Sequence, residues 1–389
     1  VVQSTYVQST CVEERSDRRA HRFPRSARFA LFLAACVGPT FLAHGHGAKA
    51  ASQPANQLSI QVNNDKLTLA AAGATQVYLY GTMDADAARR VEAMIRSRKI
   101  PRGSDVYLNS SGGDMDAGLA LGRMFRAGGM VTHLGTPRRN ARTRQLPKDA
   151  LCVDACAYAY FGGLYRWAPT GRDRIGLHPI SATVPKTAGG SETQPAAAAV
   201  YLKDMGIPTE ALASTPSPDG LLWFDPDQML AAGLANNGRL PLTATYQVSS
   251  GTPYLSLNQI VRNGMNRITV ECKPDGLALT GYYMVGSDRA RKVVTRATRS
   301  FFELDGREML PQQRADLATL NDAIVTRRPY PSAQLAQLLS ARSIGAWLTS
   351  GNNAVRYGFH IWLAPVRNSL MGFSSSCAQA MRRPGAPGR

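Results

Sequence analysis

The sequence predicts a layered α/β core of parallel strands and crossover helices, followed by a smaller α+β C-terminal domain. Three observations carry this. VYLYGTM at 77 to 83 alternates as a strand, DADAARRVEAMIRSR follows with helical periodicity, and DVYLN at 105 to 109 is again a strand, the order that builds a parallel sheet. The next stretch, SSGGDMDAGLALGRMFRAGG, places two glycines between a strand end and a helix start. Beyond residue 240 the character changes: ITVECK and LALTGYY read as an antiparallel pair around KPDG, with another strand at GFHIWLAPV near the end.

Element by element, SQPANQ reads as a polar linker and LSIQVNNDKLTLA as two short strands around an Asn-Asn-Asp turn, so 51–74 is linker plus short strands. In the first crossover helix Asp84 is the candidate cap and Ala88, Val91, Ala93 and Ile95 are apolar. Asp114 caps the second helix, where Ala117, Gly118, Ala120 and Gly122 permit close packing. VTHLG is a strand, RRNARTRQLPKD a basic loop, and ACAYAYFGG a tightly packed helix. RWAPTGRDR turns into a short strand at Ile175 to Leu177 with His178 at its end; helices at AAAAVYLKDMG and DPDQMLAAGL complete a domain at 75–240. A linker at 241–256 leads to an α+β domain at 257–380, with helices expected at QQRADLATLNDAIVT and SAQLAQLLSARSIGAWL, and a disordered tail at 381–389.

The first fifty residues stand apart. Arg15, Arg18, Arg19, Arg22, Arg25 and Arg28 precede FALFLAACVGPTFLA, and AKA at 48 to 50 supplies small residues for cleavage, the pattern of a secretory signal at 1–50. Only 15 residues separate Arg28 from His44, with Gly38 and Pro39 inside, too few for a bilayer core of about 20 residues. LAAC at 33 to 36 offers the alternative of a lipoprotein anchored through Cys36. Either reading implies a periplasmic or secreted location in a bacterial envelope.

The formal charge is +18, and the basic character survives processing, since removal of 1–50 leaves 38 Lys/Arg against 24 Asp/Glu, or +14. Only 8 of the 45 basic residues are Lys, and they form no stripe with interleaved aromatics, so nucleic acid is not expected as a partner. Contact with acidic envelope polymers or lipid head groups is one use for the charge, and genome composition is another source of an Arg-rich chain. Four cysteines remain after cleavage, Cys152, Cys156, Cys272 and Cys377. An even set in an exported chain favours disulfides, with Cys272 paired to Cys377 and Cys152 either paired to Cys156 or reduced along with it. No CxxC pair or histidine cluster marks a metal site, and no cofactor is expected.

Three features follow in order: LNSSGGDMDAG, whose glycines can turn backbone N–H groups outward; CVDACAYAYFGG, which opens a helix on Asp154; and His178, 24 residues further on. Together they resemble the ClpP/crotonase superfamily, in particular the Clp protease proteolytic subunit and its secreted relatives, over roughly residues 75 to 240. The resemblance implies a nucleophilic serine at the start of that helix, a histidine at the end of the next strand and an aspartate near the last helix. Those positions are held here by Asp154, His178 and Asp219, with Asp225 the other choice for the third; Gly113 and the backbone of Ala155 fall on the oxyanion hole. It also implies homo-oligomers, since relatives form rings.

The nucleophile position therefore carries an acid. A carboxylate there is drawn to the anion site by the helix N-terminus and plugs it. The leading expectation is a pseudoenzyme that holds a peptide or small ligand without cutting it. Two alternatives stand beside it: a divergent hydrolase using Ser181 or Cys156, and a crotonase-like acid–base enzyme using Asp154 and His178. Taken as bare residues, Asp154 is also a good helix cap or a charged partner of His178, and Cys156 lies about 200° round the helix from it.

Overall fold

The structure is a computed structural model that describes residues 56–137, 149–179, 194–212, 217–249, 252–273, 276–313, 317–351 and 355–382. The expected signal, Cys36, Ser181 and the last residues of the tail lie outside them.

The first half runs β1 (Ser59–Asn63), α1 (Lys66–Ala72), β2 (Gln76–Tyr80), α2 (Ala87–Arg96), β3 (Asp105–Asn109), α3 (Met115–Gly128), β4 (Val131–Leu134), β5 (Leu151–Val153), α4 (Ala155–Phe161), β6 (Tyr165–Arg166), β7 (Arg174–Leu177), α5 (Gln194–Asp204), β8 (Leu222–Phe224) and α6 (Pro226–Ala231). Among the described residues one sheet has the order β1-β2-β3-β4-β6, with β1 antiparallel and the rest parallel, and a second has the order β5-β7-β8. Alternate residues of the first sheet, Val77, Leu79, Val106, Leu108 and Leu134, enter one core with the buried sides of α2, α3 and α4. The other face of β2 to β4 carries Tyr78, Tyr107 and His133, since side chains alternate along a strand.

α3 and α4 approach closely because small residues line the contact. A Cβ at Gly118 would fall 2.3 Å from the Ala155 carbonyl oxygen, and one at Gly162 would fall 2.2 Å from the Gly122 backbone. Asp114 caps α3 by accepting the Ala117 N–H at 2.8 Å.

The second half runs β9 (Thr243–Ser249), β10 (Thr252–Val261), β11 (Gly264–Lys273), β12 (Gly276–Met284), α7 (Ser287–Arg296), β13 (Ala297–Leu304), β14 (Arg307–Gln313), β15 (Leu317–Leu320), β16 (Ala323–Tyr330), α8 (Leu335–Ser340), β17 (Ser343–Ser350), β18 (Arg356–Trp362) and α9 (Arg367–Arg382). Sheets of order β15-β16-β12-β11-β10-β9 and β14-β13-β17-β18 meet across a core that includes Leu255, Val270, Leu279, Phe302, Ala346 and Phe359. Leu370, Phe373 and Cys377 bring α9 into the same core, and Cys377 is bonded to Cys272.

Several local expectations are corrected. The second expected N-terminal strand is α1, because Asp65 accepts the N–H groups of Leu67 and Thr68 and so acts as a cap where a turn was expected. Asp84 does not cap α2. It accepts from the Leu58 N–H and from Arg90, whose guanidinium holds its carboxyl well below the usual range. The expected linker at 241–256 is mostly β9 and the start of β10. Of the helix expected over 312–326, residues 312–313 end β14 and 317–326 form a hairpin of β15 and β16, with Asn321 at φ 52° in the turn, and SIGAWL belongs to β17. The helix α9 was not expected.

Candidate functional site

The site grows from two strand-to-helix junctions. After β3, Gly112 and Gly113 take φ of 115° and 134°, a region open to glycine. A side chain at Gly113 would meet the Met83 carbonyl oxygen at 2.2 Å. The Met83 N–H donates to the Gly112 carbonyl at 3.0 Å and the Asp114 N–H to the Met83 carbonyl at 2.6 Å. Because the carbonyl of Gly112 and the N–H of Gly113 share one peptide plane and point oppositely, the Gly113 N–H is directed away from Met83. Ser110 stiffens the loop: its hydroxyl, buried, donates to the Gly112 carbonyl at 3.0 Å and accepts the Gly112 N–H at 3.3 Å.

The second junction joins β5 to α4 through Asp154. The Val153 N–H donates to Ser110 and the Ser110 N–H to Leu151, so the two junctions are bonded together, and Gly112 lies beside the Asp154 side chain. Asp154 sits at φ 47°, ψ −110°, a conformation that costs a non-glycine residue of order 1–3 kcal/mol and clusters at functional sites. A disulfide between Cys152 and Cys156 spans this elbow, and both cysteines are buried, as is every residue of α4. The Asp154 N–H donates to the Gly176 carbonyl at 3.1 Å, fixing the elbow against β7.

The Asp154 carboxylate makes no capping bond to α4. One oxygen accepts the His178 backbone N–H at 2.9 Å and the other meets His178 Nδ1 at 2.8 Å. The side chains are 28% and 61% exposed, so the pair faces solvent. The expectation that this carboxylate plugs the anion site is thereby corrected: His178 supplies both of its bonds, and the N–H groups of Gly113 and Ala155 do not. With a carboxylate on Nδ1, the neutral ring carries its proton there and its lone pair on Nε2. Behind the elbow, burial pushes the Tyr158 phenol up to about 12, with the Asp154 charge adding to the shift.

The remaining expected residues are elsewhere engaged. Asp219 accepts from the Trp223 indole N–H at 2.9 Å and the Leu221 N–H at 3.2 Å, bonds that lower its pKa, while its neighbour Gly220 lies beside the His178 ring. Asp225 caps α6 in a reciprocal box with Gln228. Cys156 is consumed by its disulfide and is no thiol nucleophile. The structure therefore joins Asp154 to His178 but gives Asp219 and Asp225 other partners. Sequence reasoning missed Trp223, which lies over Gly176 with Arg174 stacked 3.9 Å above its ring. The glycine inside RIGL was the available signal, since a strand glycine often marks close approach of another group.

These features define an α/β domain with a strained strand-to-helix elbow, an acid at its tip and a histidine held by that acid. No family model matches the chain, and no curated protein matches it. Similar solved structures include the 1510-N membrane-bound stomatin-specific protease, as a point mutant, at 15% identity, TM-score 0.29, covering 41% of this chain and 75% of that one. A ClpP point mutant from Listeria monocytogenes gives 16% identity, TM-score 0.28, and coverage of 44% and 94%. A Streptomyces avermitilis protein bearing the name enoyl-CoA hydratase gives 14%, TM-score 0.27, and 46% and 66%. All three likenesses are partial.

Proposed function

We propose that the chain is an exported ClpP/crotonase-like pseudoenzyme, which holds a peptide or small ligand beside the Gly112–Gly113 loop without cleaving it. The carrying observation is the elbow itself. At the position where the sequence resemblance implies a serine, Asp154 has both carboxylate oxygens on His178, and the adjacent sulfur of Cys156 is tied in a disulfide. Acyl transfer of the serine- or cysteine-protease kind needs a free hydroxyl or thiol beside its base, and among the described residues the elbow offers neither. The Gly113 N–H, turned away from Met83, can donate to a ligand carbonyl oxygen. The export part rests on the Arg-rich start and the short apolar run before AKA.

A fluorescein-labelled casein digest tests this by anisotropy and mass spectrometry together. Saturable binding with every peptide recovered intact is expected. Cleavage that disappears in Asp154→Ala overturns the reading, as does the absence of any binding.

One observation favours a second reading. The carboxylate on Nδ1 leaves Nε2 as the basic nitrogen of His178, the arrangement of a general base. This acid–base reading expects His178-dependent deuterium exchange at the α-carbon of butyryl N-acetylcysteamine thioester; no exchange above buffer removes it.

A further inference from the structure

The face of the first sheet turned away from α2, α3 and α4 carries a ladder of rings. Tyr78, Tyr107 and His133 of β2, β3 and β4 and Trp167, just after β6, stack in a row, with centroids 4.7, 4.7 and 5.9 Å apart and interplanar angles of 15°, 16° and 10°. Beside it lies an open surface hollow of about 390 Å³, lined by Gln76, Asp105, Tyr107, His133, Trp167 and Arg262 together with the small residues that end α1. Arg262 comes from the turn between β10 and β11, so both halves of the chain contribute. The volume lies within the range of small-ligand sites, which favour domain junctions and combine aromatic walls with a few placed polar groups.

The polar groups restrict what fits. Asp105 is 2% exposed, and its Oδ1 lies 2.6 Å from Arg262 Nη2 and 3.6 Å from His133 Nε2. Despite this ion contact, neither that oxygen nor His133 Nε2 makes a hydrogen bond among the described residues. Burial, reinforced by the Asp105 charge, pushes the Tyr107 phenol up to about 12. A carboxylate ligand meets the Asp105 charge and an ammonium meets Arg262. A wholly apolar ligand would cover the exposed parts of Arg262 and Gln76 without a hydrogen bond, which is costly. Hydroxyl groups both donate and accept, and so match a guanidinium donor, an amide and a phenol together. The aromatic wall, ending on Trp167 at 37% exposure, suits the C–H face of a ring.

We propose that this hollow binds the ring of a neutral pyranose sugar, seated against Tyr107 and Trp167 with its hydroxyls on Arg262 and Gln76, while the buried Asp105 holds the Arg262 guanidinium in place. The site is separate from the Asp154–His178 pair and does not depend on the function given to it.

The test titrates the full chain with glucose, galactose and N-acetylglucosamine, following the Trp167 indole N–H signal in 1H–15N spectra assigned with Trp167→Tyr. Methyl glycosides and short oligosaccharides distinguish a free sugar from the end of a glycan. Glucuronate and glucosamine serve as charged comparators. At least one neutral sugar is expected to shift the Trp167 signal saturably in the millimolar range. Compared by isothermal titration calorimetry, since neither variant keeps the indole signal, Trp167→Ala should weaken that binding by about tenfold relative to wild type, while Trp167→Tyr, which keeps an aromatic platform, should largely retain it. No saturable shift with any neutral sugar up to tens of millimolar, or equal binding of the charged comparators, overturns the proposal on the wild-type chain alone.

Discussion

Replacing Gly118 by Ala tests the packing that holds the elbow in place. The new Cβ would sit 2.3 Å from the Ala155 carbonyl oxygen, 2.8 Å from its Cα and 2.9 Å from its carbonyl carbon. All three are backbone atoms, so no side-chain rotation relieves the contact, and α4 must move, carrying Asp154 with it. Alanine gains about 1 kcal/mol over glycine inside a helix. Overpacking costs typically about 1–3 kcal/mol, and a backbone clash belongs at the upper end. The expected net loss is about 2 kcal/mol, or about 4 to 8 °C in Tm for a unit of this size. Gly372→Ala is the control, since Gly372 is an exposed residue of α9 and its new Cβ meets nothing within 4 Å. There the propensity gain of about 1 kcal/mol should stand alone. Thermal and urea unfolding followed by circular dichroism measure both. If Gly118→Ala stabilises the chain as much as Gly372→Ala does, the α3–α4 contact described here is wrong.

Cys272 and Cys377 are 105 residues apart, so replacing both with Ala should cost up to about 4 to 5 kcal/mol by the loop-entropy account, read from the urea midpoint under non-reducing conditions; an unchanged midpoint contradicts the pairing. Burial, followed by the charge of Arg239, lowers the pKa of His360, so the folded state disfavours its protonation. The unfolded chain then binds the extra proton more readily, and stability should be held above about pH 6.5 and decline as pH falls through the lowered folded value. His360→Gln should flatten that part of the Tm–pH curve, and an equal slope in both proteins removes the assignment.

β2 and β3 were readable because a helical pattern separates two short strand patterns, and β11 and β12 because the KPDG turn lies between two strand-forming runs. The two glycines after Ser111 and the Asp154-to-His178 spacing were readable because few residues serve a tight junction. Other segments misled for definable reasons. Asp65 suits a turn as well as a helix cap, and what decides is the pair of N–H groups it accepts. LATLNDAIVT has apolar spacing compatible with a helix, yet Asn321 and Asp322 form the two-residue turn between the paired Leu320 and Ala323. α9 contains a glycine and three consecutive serines, poor helix formers, and is held by Leu370, Phe373 and Cys377 at i, i+3 and i+7. At the site, Asp219 was assigned from the family pattern, whereas its carboxylate is turned to an indole four residues on. That choice depends on Gly176 making room for Trp223, a tertiary event with only one glycine to announce it.

The central claim is that Asp154 stands where a nucleophile is expected and keeps His178 engaged. Reaction with a fluorophosphonate probe tests it most directly, comparing the wild-type chain, Asp154→Ser, and Asp154→Ser combined with His178→Ala. The wild-type chain is expected to stay unlabelled. Asp154→Ser should label weakly, helped by N–H groups whose stabilisation of an oxyanion is commonly worth about 10²- to 10³-fold, and removal of His178 should abolish the signal. Strong labelling of the wild-type chain, at Ser181 or elsewhere, contradicts the account, and so does a well-folded Asp154→Ser protein that never reacts.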